Sequence, residues 1–359
     1  MPADASISGA SQGAAMHAKG RPCQRGGFAV AFVVFLLFAV AVAGAIGYQV
    51  VRLEAELAYQ SQEGGEALSV ARAGLSRFAG ESLGVPGDSV TYFIGNGEVL
   101  IRTRMLAVED SVTDLYLIQS TATIENDLFP QSPASRTVSQ YARLHKDPLG
   151  IHGALVTSST IVQARSSAVL SGFDTSTSLD CSTGGIADVA GVVHMGLAIQ
   201  TGGTIQGSPA DSDFATYAAV YDSARVRWDV LQDPTFAIKH DGSPPNFAAI
   251  PSDSFPVVRA TNDLNAGWSW SGRGVLIVPG AFGTGFGFQW NGVILAGSTG
   301  NIDGWLSRID GMVISGLDGA EGLTRVRRTE IHYNNCDVMA AMESIAYLEL
   351  LDQTWWEEY

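Results

Sequence analysis

The sequence predicts a mainly β protein carried behind one long N-terminal transmembrane helix, and three observations predict it. An uncharged run extends from Gly26 to Val51, the chain keeps a helical apolar period from there to about residue 80, and short β-rich stretches punctuated by Gly, Asn and Pro follow. The architecture expected is an antiparallel sheet packed on the helix, then a short β-helix or solenoid-like domain with a C-terminal capping helix.

Residues 1–27 are small and polar, with Lys19, Arg21 and Arg25 opposed only by Asp4, and read as a cytoplasmic leader. The uncharged run of 26 residues would reach about 39 Å as a helix, against roughly 30 Å of bilayer hydrocarbon. It is longer than the apolar region of a secretory signal and continues into Tyr48, Gln49 and Arg52 with helical patterning, so the span is read as uncleaved. The basic flank places the N-terminus in the cytoplasm and the C-terminal domain in the periplasm, a single pass through the inner membrane. Residues 28–51 form the span, and Leu53, Leu57, Leu68, Ala71, Leu75 and Phe78 face inward on an amphipathic continuation to about residue 80.

Residues 88–147 read as an antiparallel β region with strands at Val90–Ile94, Val99–Leu106, Asp114–Ile124 and Arg136–Leu144, the first two joined by a hairpin signal at Asn96-Gly97. Residues 150–336 are Gly-, Ser- and Val-rich, and a unit recurs at Gly274-Val-Leu-Ile-Val, Gly292-Val-Ile-Leu-Ala and Gly311-Met-Val-Ile-Ser, with glycines 18 and 19 residues apart. Gly153 and Gly191 begin similar runs at 38, close to twice that period. Constant spacing suits stacked coils that bury their apolar faces only against neighbours, and a β-sandwich with glycine-rich turns is the alternative. A helical insertion at about 211–232 would be capped by Asp211 or Ser212 and carry Phe214, Tyr217, Tyr221, Ala224 and Trp228. Residues 337–359 read as a terminal helix, with Val338, Met342, Ile345 and Leu348 as its stripe, and an aromatic tail in which Trp355 and Trp356 offer a docking pair.

The chain has 359 residues with 36 acidic and 21 basic side chains, a net charge of −15. Such a balance is unsuited to general nucleic-acid binding, which needs clustered Lys and Arg. Cys23 precedes the apolar run, whereas Cys181 and Cys336 fall in the exported body, where an oxidising compartment permits either a disulfide or two buried thiols.

The sequence offers little catalytic chemistry. It lacks Gly-x-Ser-x-Gly, a phosphate loop and His-Glu-x-x-His; its closest histidines are His145 and His152; and Gly283-Thr-Gly-Phe-Gly-Phe reads as a turn. Asp174, Asp180, Asp188 and Asp303 are turn formers or a carboxylate set for glycan chemistry, and Tyr217, Tyr221, Trp228, Trp268, Trp270 and Trp290 are core residues or the lining of a glycan groove. No cofactor or metal is expected.

The leader ending in Arg25-Gly26-Gly27, followed by Phe28 and an apolar-to-amphipathic helix, resembles the type IV pilin superfamily. The resemblance implies processing between Gly27 and Phe28 and a helix that first anchors in the membrane and then packs in a filament. Phe32 stands where major pilins carry a glutamate, and Ala71-Arg72-Ala73-Gly74-Leu75 is similar to the Ala-Glu-Ala-Gly-Leu of PilX-like minor pilins. The function expected is a non-enzymatic structural subunit, a minor pilin or pseudopilin. Its partners are the lipid bilayer and other membrane-embedded subunits, met through a small-residue face at Ala39, Ala43, Gly44 and Gly47. An accessory or scaffold subunit of another membrane complex is the alternative, and a membrane-tethered glycan-active β-helix protein the third reading.

Overall fold

The computed structural model describes residues 26–110, 112–125, 133–146, 149–176, 188–214, 216–319 and 322–358, and the chain divides into two compact units after Gln62. Helix α1 runs Gly26–Glu81. From Val30 to Gln62 its apolar side chains are exposed.

The second unit contains the end of α1 and two sheets. In the first sheet, β1 (Ser89–Ile94), β2 (Gly97–Val108), β3 (Thr113–Ile124) and β4 (Ala134–His145) pair antiparallel in chain order. These are the four strands expected. The β1–β2 hairpin closes at Ile94 opposite Gly97, so its two-residue turn is Gly95-Asn96 rather than Asn96-Gly97. Gly95 takes the positive φ (58°) that a tight hairpin demands.

Alternation on β3 turns Tyr116, Ile118, Ser120, Ala122 and Ile124 to one face, and α1 lays Ala67, Ala71, Leu75 and Phe78 on it. The contact is close because Gly74 has no side chain: a Cβ there would lie 2.5 Å from Val99 Cγ1, and Ser120 Oγ donates to the Ala71 carbonyl at 2.7 Å. The Ala71–Leu75 segment is thus where the helix crosses its sheet.

The second sheet has thirteen strands and parallel pairing between its named strands. The chain enters it through β5 (Gly153–Thr157), β6 (Ile161–Arg165) and β7 (Val169–Ser171), and adds β8 (Ala190–His194), β9 (Leu197–Thr201), β10 (Thr204–Gln206) and β11 (Asp211–Asp213) on one side. It then crosses through α2 (Tyr217–Ala224) and α3 (Trp228–Leu231) to begin again at β12 (His240–Asp241). From there β13 (Val257–Arg259), β14 (Leu264–Ala266), β15 (Gly272–Thr284), β16 (Gln289–Ser315) and β17 (Leu323–His332) work back until Val313 pairs with Leu155. The strand where the sheet begins therefore lies in the middle of a row, β12-β13-β15-β16-β5-β8-β11.

The repeat seen in the sequence is the register. Val258 pairs with Leu276 and Leu276 with Ile294, 18 residues apart each time, and Gly274 sits directly beside Gly292. Gly274, Gly292 and Gly311 have φ of 115°, 122° and 149°. A Cβ on Gly292 or Gly311 would run into the carbonyl oxygen of the preceding glycine in the series. The Gly153–Gly191 spacing is one residue out, since Gly153 pairs with Ala190. Buried hydroxyls satisfy one another inside the sheet: Thr324 Oγ1 lies 2.6 Å from Thr299 Oγ1 and 2.5 Å from Ser159 Oγ.

The crossing segment is pinned at several points. Tyr217 OH donates to the Leu317 carbonyl and Trp228 Nε1 to Asp318 Oδ1, both at 2.5 Å. Arg259, 2% exposed, donates to the carbonyls of Asp233 (2.5 Å) and Phe236 (3.0 Å) and to the Asp241 carboxylate. The helix of this insertion begins later than expected. Asp211–Asp213 is a strand beside Val192–His194, Thr216 caps α2 by accepting from Ala219 N, and Arg225 in a left-handed conformation ends it before Trp228. The C-terminus also departs from expectation. Helix α4 (Asn335–Glu343) is short and lies along β15 and β16 rather than at the end of a row. Beyond it, β18 (Tyr347–Leu350) and β19 (Trp356–Glu358) return to pair with β4.

Candidate functional site

The feature that needs a function is the first half of α1. Its Ala-, Val-, Leu- and Phe-rich sequence has no Pro, and each residue from Val30 to Val51 is exposed. Phe32, Phe35, Leu37 and Phe38 are 59–67% exposed. Apolar area of that extent calls for a lipid or protein cover. The helix is long and apolar enough to cross a membrane. Ala39 and Ala43 are exposed, and a Cβ on Gly44 or Gly47 would meet nothing within 4 Å. Gly27 and Phe28 lie in the first turn of α1, while the leader up to Arg25 lies outside the described residues.

The other expected site residues separate. Cys336 is disulfide-bonded. Cys181 lies outside the described residues, as does Asp180. Trp355 and Trp356 have different neighbours: the Arg72 guanidinium sits 4.3 Å from the Trp355 ring centroid, whereas the Trp356 ring, on β19, lies 5.3 Å from that of Tyr141.

The carboxylates are engaged in structure. Burial would raise Asp174, but the Asn335 N–H and the Ser176 N–H and hydroxyl outweigh it and hold this carboxyl below its ordinary range. Asp188 accepts from Asp174 N, and Asp303 pairs with Arg327 at 3.5 Å and Arg328 at 2.6 Å. His145 binds Glu349, whereas His152 meets the Ser223 carbonyl. Among the described residues no three His, Cys, Asp or Glu side chains are placed to hold a metal.

The expected aromatic set divides in the same way. Trp228 and Trp290 are core, whereas Trp268 is 75% exposed. Gly283-Thr-Gly-Phe-Gly-Phe is indeed a turn, leaving β15 and entering β16. Phe286, within that turn, and Trp305 stand at the same corner as Trp268, though neither was among the aromatic residues expected of a groove: Trp268 N donates to the Phe286 carbonyl and Gly287 N to that of Trp305. The 18-residue period carried past the strands would have found them. The arginines of β17 were also missed. Arg325-Val-Arg327 places two guanidinium groups on one strand face by simple alternation.

Fold and site together define a mainly β chain with a membrane-length N-terminal helix. Comparison with protein-family models, with curated proteins and with solved structures returns no match.

Proposed function

We propose that this chain is a non-enzymatic structural subunit, a PilX-like minor pilin or pseudopilin. In this reading residues 28–51 anchor it in the inner membrane with the N-terminus cytoplasmic and the β-rich body exported. The observation that carries the reading is the division of α1: an uncharged half with every described side chain exposed, then a half buried on its own sheet. A helix needed only to hold the sheet would begin near Glu63. The open face at Ala39, Ala43, Gly44 and Gly47 lets neighbouring helices approach closely in lipid. The three basic residues before the span support the orientation.

The body is read as a β-solenoid, supported by the 18-residue register offsets and by glycines stacked on glycines. Cys181 is the partner assigned to Cys336, because Cys23 precedes the span and stays on the cytoplasmic side.

The test is the N-terminal residue of the protein purified from native membranes, read by mass spectrometry with the proteins that accompany it. A chain beginning at Phe28 is the expected result. A retained leader overturns the filament reading and moves the protein to a scaffold subunit of another membrane complex.

A further inference from the structure

The outer surface of β17 collects cationic charge in a chain whose net charge is −15. Arg327 pairs in register with Arg165 of β6 on one side and with Asp303 of β16 on the other. Two like charges directly opposite on neighbouring strands oppose sheet formation unless something compensates them. Arg325, two residues away on the same strand face, adds a third guanidinium, and Arg328 a fourth at the adjoining corner. The compensation within the chain is partial. Asp303 takes both Arg327 and Arg328, and Arg165 Nε is buried with no acceptor.

The corner beside the arginines supplies the second half of a site. The Arg328 guanidinium stands 5.0 Å from the Trp305 ring centroid, and Trp305, Phe286 and Trp268 follow one another on successive repeats, 58%, 64% and 75% exposed. Backbone hydrogen bonds from Trp268 N to the Phe286 carbonyl and from Gly287 N to the Trp305 carbonyl hold the three residues along one corner. Gly285 and Gly287 flank Phe286, and Gly287 takes a positive φ of 69° in the turn that carries it. Asn265 and Asn301 expose amides on the outer face of the strands that lead into this corner.

We infer that this face binds an acidic glycan, with sugar faces stacked on Trp305, Phe286 and Trp268 and a carboxylate held by Arg165 and Arg327. Charge density selects this partner over duplex nucleic acid. Duplex DNA carries a charge every ~1.7 Å and would be repelled by the acidic body, whereas a uronate polymer carries one charge per sugar, within reach of one arginine pair. The inference is independent of the membrane-anchor reading.

The test uses the full chain in detergent micelles, with hexagalacturonate as probe and titration calorimetry as readout. Expected results are saturable binding that weakens with added salt, a loss of at least tenfold in Arg165→Gln/Arg327→Gln, and a similar loss in Trp268→Ala/Trp305→Ala. Because Arg165 and Arg327 repel each other, Arg327→Gln should leave the melting temperature unchanged or raise it, which separates lost binding from lost folding. Absence of binding by the folded wild-type chain overturns the inference. So does hexagalacturonate affinity unaltered in both double variants, or cellohexaose bound as tightly as hexagalacturonate. Binding of a single-stranded oligonucleotide or of anionic vesicles that is abolished by the arginine pair, without hexagalacturonate binding, reassigns the face and equally overturns it.

Discussion

In the antiparallel sheet β3 buries alternate side chains and half-covers the rest, whereas in the parallel sheet β5 and β8 each bury five residues in a row. The first arrangement is fixed by a helix lying on one face, and its register follows from which side of each strand is apolar. Along β5 and β8 there is no such asymmetry, because both faces of those two strands are covered. Register there depends on backbones meeting where side chains would collide. The antiparallel sheet should consequently tolerate changes of volume that the parallel sheet does not.

Gly311→Ala is the largest expected break in that comparison. Its Cβ would strike the Gly292 carbonyl, and φ of 149° already disfavours any side chain. Backbone cannot step aside as a rotamer can, so the cost should be about 4 kcal/mol or failure of the parallel sheet to form. Chemical denaturation followed by tryptophan fluorescence reads it, since Trp290 is fully buried in that core. Gly74→Ala is the matched change in the antiparallel half. Its nearest neighbour is Val99 Cγ1 at 2.5 Å, a side-chain methyl rather than backbone, and the expected cost is about 1–3 kcal/mol. Equal losses for the two variants would remove the distinction.

Arg259→Leu falls between them. It strips donors from the carbonyls of Asp233 and Phe236 and leaves Asp241 without its cation, for an expected loss of roughly 3 kcal/mol. The loss should appear as early hydrogen exchange and proteolysis across residues 228–241, the segment that bridges the two ends of the parallel row. Uniform destabilisation of the whole unit would deny that the clasp is local.

What could be read from the sequence follows the same division. The four antiparallel strands were legible because alternation is a local signal, and Gly274, Gly292 and Gly311 were legible because their spacing equals the register. The join between β16 and β5 was not, since no local pattern announces that Val313 will meet Leu155. Val338, Met342, Ile345 and Leu348 misled because they keep helical spacing while serving two cores: the first three pack into the parallel sheet, and Leu348 packs beneath α1. Asp211 and Ser212 stood as caps of the insertion helix for want of any signal that Asp211–Asp213 would pair as a strand, and Thr216 caps the helix instead. Of the site, the apolar half of α1 was plain from composition, whereas the exposed corner at Phe286 and Trp305 needed the repeat to be carried into its turns.

The smallest effect expected concerns His194, at the C-terminal end of β8, where it pairs with Asp213 of β11. Its side chain is buried, Nδ1 accepts from Gly196 N at 3.0 Å, and Nε2 has no hydrogen-bond partner, with Asp211 Oδ2 3.9 Å away. Burial lowers its pKa, and the nearby Asp211 and Asp213 only partly restore it. A histidine held below its unfolded value takes up its proton more readily in the unfolded chain, so its contribution to stability is complete above about pH 6.5. It is lost as the pH falls from there toward the folded value. His194→Asn keeps an acceptor for Gly196 N while removing the titration. Melting temperatures between pH 7.5 and 5 should therefore fall less steeply in the variant than in the wild type, with little difference at the alkaline end. A variant that matches the wild-type slope would show that this strand edge opens to water and that His194 titrates as a surface group, which would make the parallel sheet less tightly closed at β8 than at its glycine stack.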